Sequence, residues 1–313
     1  MKTNSMNYVK FENELKKERI STCLIYQNGE VKYNFYKNSK SETKLFKINS
    51  VTKSVLSMLI GIAIDQGFIE SVDVPISKYF PNIETKKREI TIEHLLTMTP
   101  GYDWQEWGEW GGRPFPMINS KDWIQYVLEK EMVNNPGEKM IYDSGASQVL
   151  SGIIQMVTNE KLSTFANRML FDPLGIKEFI WHEDSKGINI GGFGLSLMTD
   201  ELLKLGILMM QKGKWNNRQI ISSEWIEKST KAKYHTYPHV GSYAYHWWVL
   251  ENKELMELDS TIYFAMGYGG QFIIISPKNQ LVAVFTSAKY IDTFTPLKII
   301  QKYLPLILTN EFD

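Results

Sequence analysis

The sequence is nearly free of cysteine, since Cys23 is the single one among 313 residues. This excludes an intrachain disulfide framework and any multi-cysteine metal site. An excess of charge is also missing: 35 basic residues balance 35 acidic ones, so the charge balance gives no reason to expect a nucleic-acid partner. The longest apolar run, residues 55–64, is far shorter than the roughly 20 residues that cross a bilayer. The N-terminus has no signal-peptide pattern, so we expect a cytoplasmic protein without a membrane partner.

Aromatic residues, by contrast, are abundant. The chain has nine Trp and sixteen Tyr, and three of the Trp fall between Trp104 and Trp110, interleaved with Asp103, Glu106 and Glu109. One interpretation is an aromatic pocket rim whose carboxylates attract an amine-bearing substrate. The other, which we prefer, is a loop that its tryptophans pack against neighbouring helices.

The order of the predicted elements indicates an α/β protein of the α+β type. A helix over 50–66 is apolar on most sides and therefore belongs in the interior. Short helices follow the candidate N-caps Thr91 and Ser120, and a helix over 291–308 closes the chain. Six segments have strand character: 20–27, 31–36, 243–250, 261–265, 271–276 and 281–287.

Tight turns such as Asn28-Gly29 join neighbouring strands as antiparallel hairpins. We therefore expect one antiparallel sheet built from both termini and flanked by helices, with a helical subdomain inserted. The predicted α/β domain comprises 1–85 and 190–313, the helical subdomain comprises 86–189, and the active site lies between them.

The first chemical motif is Ser50-Val51-Thr52-Lys53, a Ser-x-x-Lys pattern. Residues three apart on a helix share a face, so Lys53 can lie beside the Ser50 hydroxyl. In the first helical turn, free amides and the helix dipole favour a developing alkoxide on Ser50. Burial would lower the pKa of Lys53 and allow it to act as a neutral base.

The spacing alone is weak evidence, because about two matches are expected by chance. A second match, Ser41-Glu42-Thr43-Lys44, lies in a polar stretch without an apolar helix behind it. Ser50 could also be simply an N-cap, a role that serine favours. Neither a Gly-x-Ser-x-Gly elbow nor a His-Glu-x-x-His helix is present.

The second motif is Tyr142-Asp143-Ser144, which precedes a helical run. A tyrosine phenolate can act as a general base if a cation such as Lys53 lowers its pKa. The commoner role of such a residue is a buried tyrosine with a satisfied hydroxyl.

The third motif runs from Gly267 to Gln271, with the sequence GYGGQ, and leads into a strand. Glycines at a strand edge let a ligand approach the backbone. Backbone N–H groups there can complete an oxyanion hole with that of Ser50. Taken alone, the segment could equally be a turn or bulge.

The three motifs, in this order, resemble those of the serine β-lactamase and penicillin-binding-protein superfamily, in its class C-like branch of esterases and amidohydrolases. The resemblance implies a β-lactamase/transpeptidase-like fold, a small ester or amide substrate, and no metal or cofactor. It extends over most of the chain and is most similar to 6-aminohexanoate-oligomer hydrolases. The segments that carry it are HLLTMTPGYDW at 94–104, NPGEKMIYDSGASQVLSGII at 135–154, GGFGLSLMTDELLKLGILMM at 191–210 and AMGYGGQFIIISP at 265–277.

The resemblance implies that Ser50 is the nucleophile that forms an acyl-enzyme and that Lys53 is its activating partner. Tyr142 is the implied general base and acid. The implied oxyanion hole consists of the N–H groups of Ser50 and Gly270, or of Gln271 if the register differs by one residue.

The substrate-binding residues that we predict are Ser144, Tyr102, Trp104 and Gly269. Ser144 holds the position that usually hydrogen-bonds the lysine or the substrate. The other three are expected to line the wall of the pocket.

The chain departs from the family at Gly267, where a Lys or His usually begins the third motif. A cation there would bind the carboxylate of a β-lactam or of a peptide terminus. Its absence favours a carboxylesterase or amidohydrolase, including one for ω-amino-amide oligomers. The alternatives are β-lactamase or D,D-peptidase activity, and a penicillin-binding module that does not hydrolyse its ligand.

Overall fold

The computed structural model describes residues 2–106, 114–237, 240–250 and 261–308. Its strands are β1 (Thr22–Gln27), β2 (Glu30–Tyr36), β3 (Phe46–Lys47), β4 (Ile180–Trp181), β5 (Leu195–Leu197), β6 (Lys214–Trp215), β7 (Arg218–Gln219), β8 (Tyr234–His235), β9 (Ser242–Tyr243), β10 (Trp248–Leu250), β11 (Ile262–Gly267), β12 (Gln271–Ser276) and β13 (Leu281–Thr286).

The main sheet has eight strands in the order β2-β1-β13-β12-β11-β10-β9-β8. All of its pairings are antiparallel, and β1 joins the two ends of the chain because it lies between β2 and β13. This confirms the predicted fold class. A second sheet, β3-β5-β4, has three strands, and β6 pairs with β7 in a hairpin.

The helices lie mainly in the middle third of the described chain and at its two ends. None of them is both long and apolar enough to cross a membrane within the described residues. They are α1 (Lys2–Lys17), α2 (Ser39–Glu42), α3 (Val51–Asp65), α4 (Ile92–Leu96), α5 (Phe115–Ile118), α6 (Trp123–Leu128), α7 (Ser144–Thr158), α8 (Leu162–Ala166), α9 (Asp172–Leu174), α10 (Thr199–Met210), α11 (Ser223–Ser229) and α12 (Thr295–Leu308), with 3₁₀ turns at Ile76–Lys78 and Thr85–Lys87 and a π turn at Asn167–Phe171.

Both faces of the main sheet are buried, and β13 shows why its sequence is apolar throughout. Val282 and Val284 face the core that contains α3, α7 and α10, whereas Ala283 and Phe285 face a second core. That second core is covered by α1 and α12, where Phe11 packs edge-on against Tyr303. A strand covered on both faces has no polar side, so its sequence does not alternate.

Three predictions about elements were wrong in detail. The strand expected over 243–250 is interrupted between β9 and β10, because His246 has a φ of +59°, a left-handed value that a strand does not accommodate. Asp122, not Ser120, caps α6 by accepting from the Gln125 N–H. The last helix begins at Thr295 instead of residue 291. Thr91 caps α4 as predicted.

Candidate active site

Ser50 lies where the short strand β3 passes into the buried helix α3. Asn49 has a φ of +49° and turns the chain immediately before the helix. Ser50 occupies the N-cap position, but its hydroxyl makes no capping hydrogen bond. Its N–H also has no hydrogen-bond partner in the described part of the chain. The hydroxyl and the amide of Ser50 are therefore both available for chemistry, which the simple N-cap interpretation did not predict.

Lys53 lies one helical turn further along α3 and is almost fully buried, with 1% of its surface exposed. Its Nζ donates to the Ser50 Oγ at 3.2 Å, to the Ser144 Oγ at 2.9 Å and to the Gly192 carbonyl at 2.9 Å. An ammonium group has three N–H donors, and each one finds an acceptor here. The spacing therefore brings serine and lysine together as the sequence predicted.

Burial lowers the pKa of Lys53 to about 8, because removal from water disfavours the charged form. The carboxylates of Glu106 and Asp143 act in the opposite direction and raise it. A useful fraction of neutral amine is thus present near neutral pH.

Tyr142 approaches Ser50 from the start of α7. Its phenol lies beside the Ser50 hydroxyl, which acts to lower the pKa of Tyr142, and the Lys53 Nζ lies 4.8 Å from the centre of its ring. The ring stacks on Trp248 at 5.8 Å and meets Tyr243 edge-on at 6.2 Å. Burial raises the pKa of Tyr142 far above its usual range, so the condition for a phenolate base, a pKa lowered by Lys53, is not met. Tyr142 is a neutral phenol that can pass a proton on, not a standing phenolate.

Ser144 is buried and takes part in a network that the sequence did not predict. Its hydroxyl donates to the Glu106 Oε1 at 2.5 Å, and its N–H donates to the Glu106 Oε2 at 3.0 Å. The same hydroxyl accepts from Lys53. The hydroxyl proton is therefore engaged by Glu106. Of the two contacts predicted for Ser144, the structure shows the one with the lysine, and the contact with substrate stays a prediction. No local pattern marks Glu106, whose partner lies 38 residues further along the chain.

Tyr102 and Trp104 were predicted to line the pocket, and the structure buries both, with 1% and 7% of their surfaces exposed. The Trp104 Nε1 donates to Glu106 at 2.8 Å, and its ring meets Tyr126 on α6 edge-on. For Trp104 the packing interpretation of the loop is therefore the right one. Trp107, Glu109 and Trp110 lie outside the described residues.

The third motif forms the turn between β11 and β12. Gly269 and Gly270 both have a φ of +85°, which the tight turn requires. The Gly270 N–H donates to the Gly267 carbonyl at 3.2 Å and so closes the turn. It is not free for an oxyanion, and this prediction is corrected. Gly269 is buried, and a Cβ on it would lie 2.8 Å from the Tyr290 ring, so its predicted contact with substrate has no support here.

Gln271 pairs with Gly267 across the same hairpin, and its side chain donates to the Ser287 carbonyl at 2.6 Å. The turn is tied to the nucleophile by Asn49, whose Nδ2 donates to the Tyr268 carbonyl at 2.6 Å. The Tyr268 N–H itself has no hydrogen-bond partner among the residues that the structure describes.

Gly267 explains the missing cation of this motif. A Cβ at this position would lie 2.2 Å from the Ile48 carbonyl oxygen. The backbone of β11 therefore passes so close to the segment before Ser50 that no side chain fits there. A Lys or His at 267 would require the two segments to separate.

The chain is similar to known proteins over most of its length. A family model described as Beta-lactamase matches residues 19–296. The 6-aminohexanoate-dimer hydrolase of Paenarthrobacter ureafaciens is 20% identical over 301 residues, covering 88% of this chain and 74% of that protein.

Two solved structures share the fold. A Bacillus anthracis protein provisionally described as a 6-aminohexanoate-dimer hydrolase superposes with a TM-score of 0.80 at 18% identity, over 96% of this chain and 81% of that one. EstCE1, a hydrolase with promiscuous acyltransferase activity, superposes with a TM-score of 0.77 at 18% identity, over 96% and 98% of the two chains.

Proposed function

The chain belongs to the Beta-lactamase family, and on that premise we propose that it is a serine hydrolase that forms an acyl-enzyme on Ser50 and cleaves a small ester or amide. The observation that carries the proposal is the position of the Ser50 hydroxyl, which accepts from the Lys53 Nζ at 3.2 Å and lies beside the Tyr142 phenol. A serine flanked by a lysine of lowered pKa and a buried phenol has the arrangement of an activated nucleophile.

In the proposed mechanism, the neutral amine of Lys53 takes the Ser50 proton as Oγ bonds to the substrate carbonyl carbon. The bond to the leaving group then breaks, and the leaving oxygen or nitrogen receives that proton by way of the Tyr142 hydroxyl. Water next attacks the acyl carbon and loses its proton to the same pair. The bond between the acyl carbon and Oγ breaks, and Ser50 regains its hydrogen.

We assign the oxyanion hole to the N–H groups of Ser50 and Tyr268. Both lack a hydrogen-bond partner within the described ranges, and the Tyr268 carbonyl is held against Asn49, the residue before the nucleophile. Tyr268 takes the place of Gly270 as the second donor, since the Gly270 amide is used by the turn, and the Gln271 N–H stays the alternative that the sequence predicted. Removing one such donor typically costs about 10²–10³ in kcat.

We base the proposed substrate class on the residues beside this hairpin. Gly267 leaves no room for the cation that would bind a substrate carboxylate. Tyr268 and the half-exposed Tyr290 form an aromatic pair with ring centres 5.3 Å apart, and the neighbouring Ile291 is fully exposed. An apolar lip of this kind favours a neutral acyl group over an anionic one, so we propose an esterase or short-amide hydrolase.

The test compares two serines that stand in Ser-x-x-Lys motifs of the same spacing. Ser50→Ala should lower turnover of p-nitrophenyl esters by at least about 10³-fold, because the nucleophile is lost. Ser41→Ala is the matched control and should keep wild-type turnover, since among the described residues the Ser41 hydroxyl bonds only Asn38, at the start of α2. Wild-type turnover in Ser50→Ala would refute the mechanism. Ester, ω-amino-amide and β-lactam substrates assayed in parallel would identify the class.

A further inference from the structure

We propose that Glu106 is a positioning residue for this reaction, which acts through Ser144 to fix Lys53 beside Ser50 in the right place and charge state. The catalytic role of Glu106 rests on the proposed function. The buried network that carries it does not depend on any assumption about the substrate.

Three hydrogen-bond donors converge on the Glu106 carboxylate. They are the hydroxyl and the N–H of Ser144 and the indole N–H of Trp104, at 2.5, 3.0 and 2.8 Å. Only 5% of the Glu106 surface is exposed. An ionised carboxylate is the one side chain of this size that offers only acceptors. A glutamine would turn an NH₂ group towards at least one of these donors, and a protonated acid would also present a hydrogen.

The chain of bonds fixes the direction of each proton. Ser144 gives its hydroxyl hydrogen to Glu106, so its lone pairs face Lys53 and accept from the Nζ at 2.9 Å. Without Glu106, the Ser144 hydroxyl is free to rotate and donate elsewhere. Lys53 would then lose one of its three acceptors, and its position 3.2 Å from the Ser50 Oγ would be less well defined.

The charge on Glu106 also opposes the effect of burial on Lys53. Four titratable groups interact with Lys53, through its charge or through a ring contact. They are Glu106 in the loop before α5, Tyr142 and Asp143 before α7, and His246 between β9 and β10. His246 stays neutral, since burial lowers its pKa to about 3, and Tyr142 stays a phenol. Burial raises the pKa of Asp143 to about 7. Replacing Glu106 is thus the most direct test of how a negative charge affects the pKa of Lys53.

The experiment measures the pH dependence of kcat/KM for Glu106→Gln and Glu106→Asp. Loss of the negative charge lowers the pKa of Lys53, so in Glu106→Gln the acidic limb should move to lower pH by about one unit. At pH values above this limb, Lys53 is neutral in both proteins. The plateau of kcat/KM should still fall about tenfold or more in Glu106→Gln, because Lys53 is less well positioned beside Ser50. The loss should appear in kcat and not in KM. Glu106→Asp keeps the charge and should lower the plateau without moving the limb.

Glu129→Gln makes the same change at an exposed carboxylate at the end of α6 and should match wild type. A double-mutant cycle with Ser144→Ala tests whether Glu106 acts through Ser144. If it does, the plateau kcat of the double variant should be no lower than that of the less active single variant. Additive losses would overturn the route. A wild-type limb and plateau in Glu106→Gln would overturn the proposal.

A readout independent of turnover separates this proposal from the proposed function. Lysine side chains labelled biosynthetically with ¹³C at Cε and ¹⁵N at Nζ keep every Nζ hydrogen and can be titrated by NMR, with Lys53→Arg to assign the signal. In Glu106→Gln the Lys53 signal should titrate at lower pH than in wild type, whether or not Ser50 is the nucleophile. An unchanged Lys53 titration would refute the charge role of Glu106 even if esters are hydrolysed through Ser50.

Discussion

Lys53 is the residue on which the proposed chemistry depends most, because burial moves its pKa from the ordinary range of a lysine to about 8. Only the neutral amine can accept the Ser50 proton, and neutral amine accumulates as the pH rises through that value. We expect kcat/KM for a neutral ester to rise with pH along a limb centred near 8. A profile that is flat between pH 6 and 9 would contradict this role.

Two lysine substitutions sharpen this pH prediction. Lys53→Arg should lose most activity, and its kcat/KM should no longer rise with pH near 8, since a guanidinium stays protonated at these pH values. Lys44→Arg, in the second Ser-x-x-Lys motif, should leave the profile unchanged, because Lys44 is exposed and lies against the Phe46 ring.

At this scale the sequence predicted which residues meet but not all of their contacts. Ser50, Lys53 and Tyr142 are carried by motifs with fixed spacing, and the structure brings them together. Glu106 reaches the network from a loop, and no local rule links it to Ser144. The roles of all these residues in catalysis stay proposals until the variants are measured.

Helix α3 begins directly after Ser50, and it is packed so tightly that adding one methyl group should lower stability. Gly61 faces Trp225 on α11, where a Cβ would lie 2.3 Å from the indole. Gly61→Ala should therefore lower the free energy of unfolding by about 1–3 kcal/mol, because the indole or the helix must shift. Chemical denaturation measures this, and a stability equal to wild type would show that the contact is looser than described.

Ser57 provides a matched control on the same helix. Its hydroxyl is buried without a hydrogen-bond partner in the described chain. Ser57→Ala removes that unpaired group and should be neutral or slightly stabilising. A large decrease in the free energy of unfolding of Ser57→Ala would mean that α3 tolerates no substitution. The Gly61→Ala result could then not be assigned to the contact with Trp225.

Elements with a strong local signal were predictable, and elements set by distant contacts were not. Asn28-Gly29 forms the expected hairpin between β1 and β2, with Asn28 at a φ of +50°. The run before Leu250 reads as one strand, yet it breaks at His246. The His246 N–H donates to the Leu96 carbonyl, and its ring bonds Ser147 on α7. These contacts span 150 and 99 residues, so no local pattern contains them.

At the scale of the whole molecule, the sheet is buried on both faces, and the two ends of the chain close its outer face. The sequence predicted α12 but missed α1, whose apolar side is narrow. Phe11 and Leu15 are fully buried there, and Glu14 accepts from Lys302 and Tyr303. A helix with few apolar residues is recognisable only when its partner surface is known. The division into two domains at residues 86 and 190 stays a prediction.

The fold alone does not decide the activity, because one architecture supports several related reactions. The selectivity proposed here depends on one close backbone approach, at Gly267. It excludes a side chain next to the nucleophile and leaves the hairpin wall apolar.

The central claim is that Ser50 carries the acyl group, and the most direct test is the mass of the whole chain after reaction with a fluorophosphonate. One adduct per chain is expected, mapped by proteolysis to the peptide that contains Ser50. Ser41→Ala should be labelled fully, and Ser50→Ala should not be labelled. An adduct on any other residue of the wild-type protein, or equal labelling of Ser50→Ala, would contradict the account.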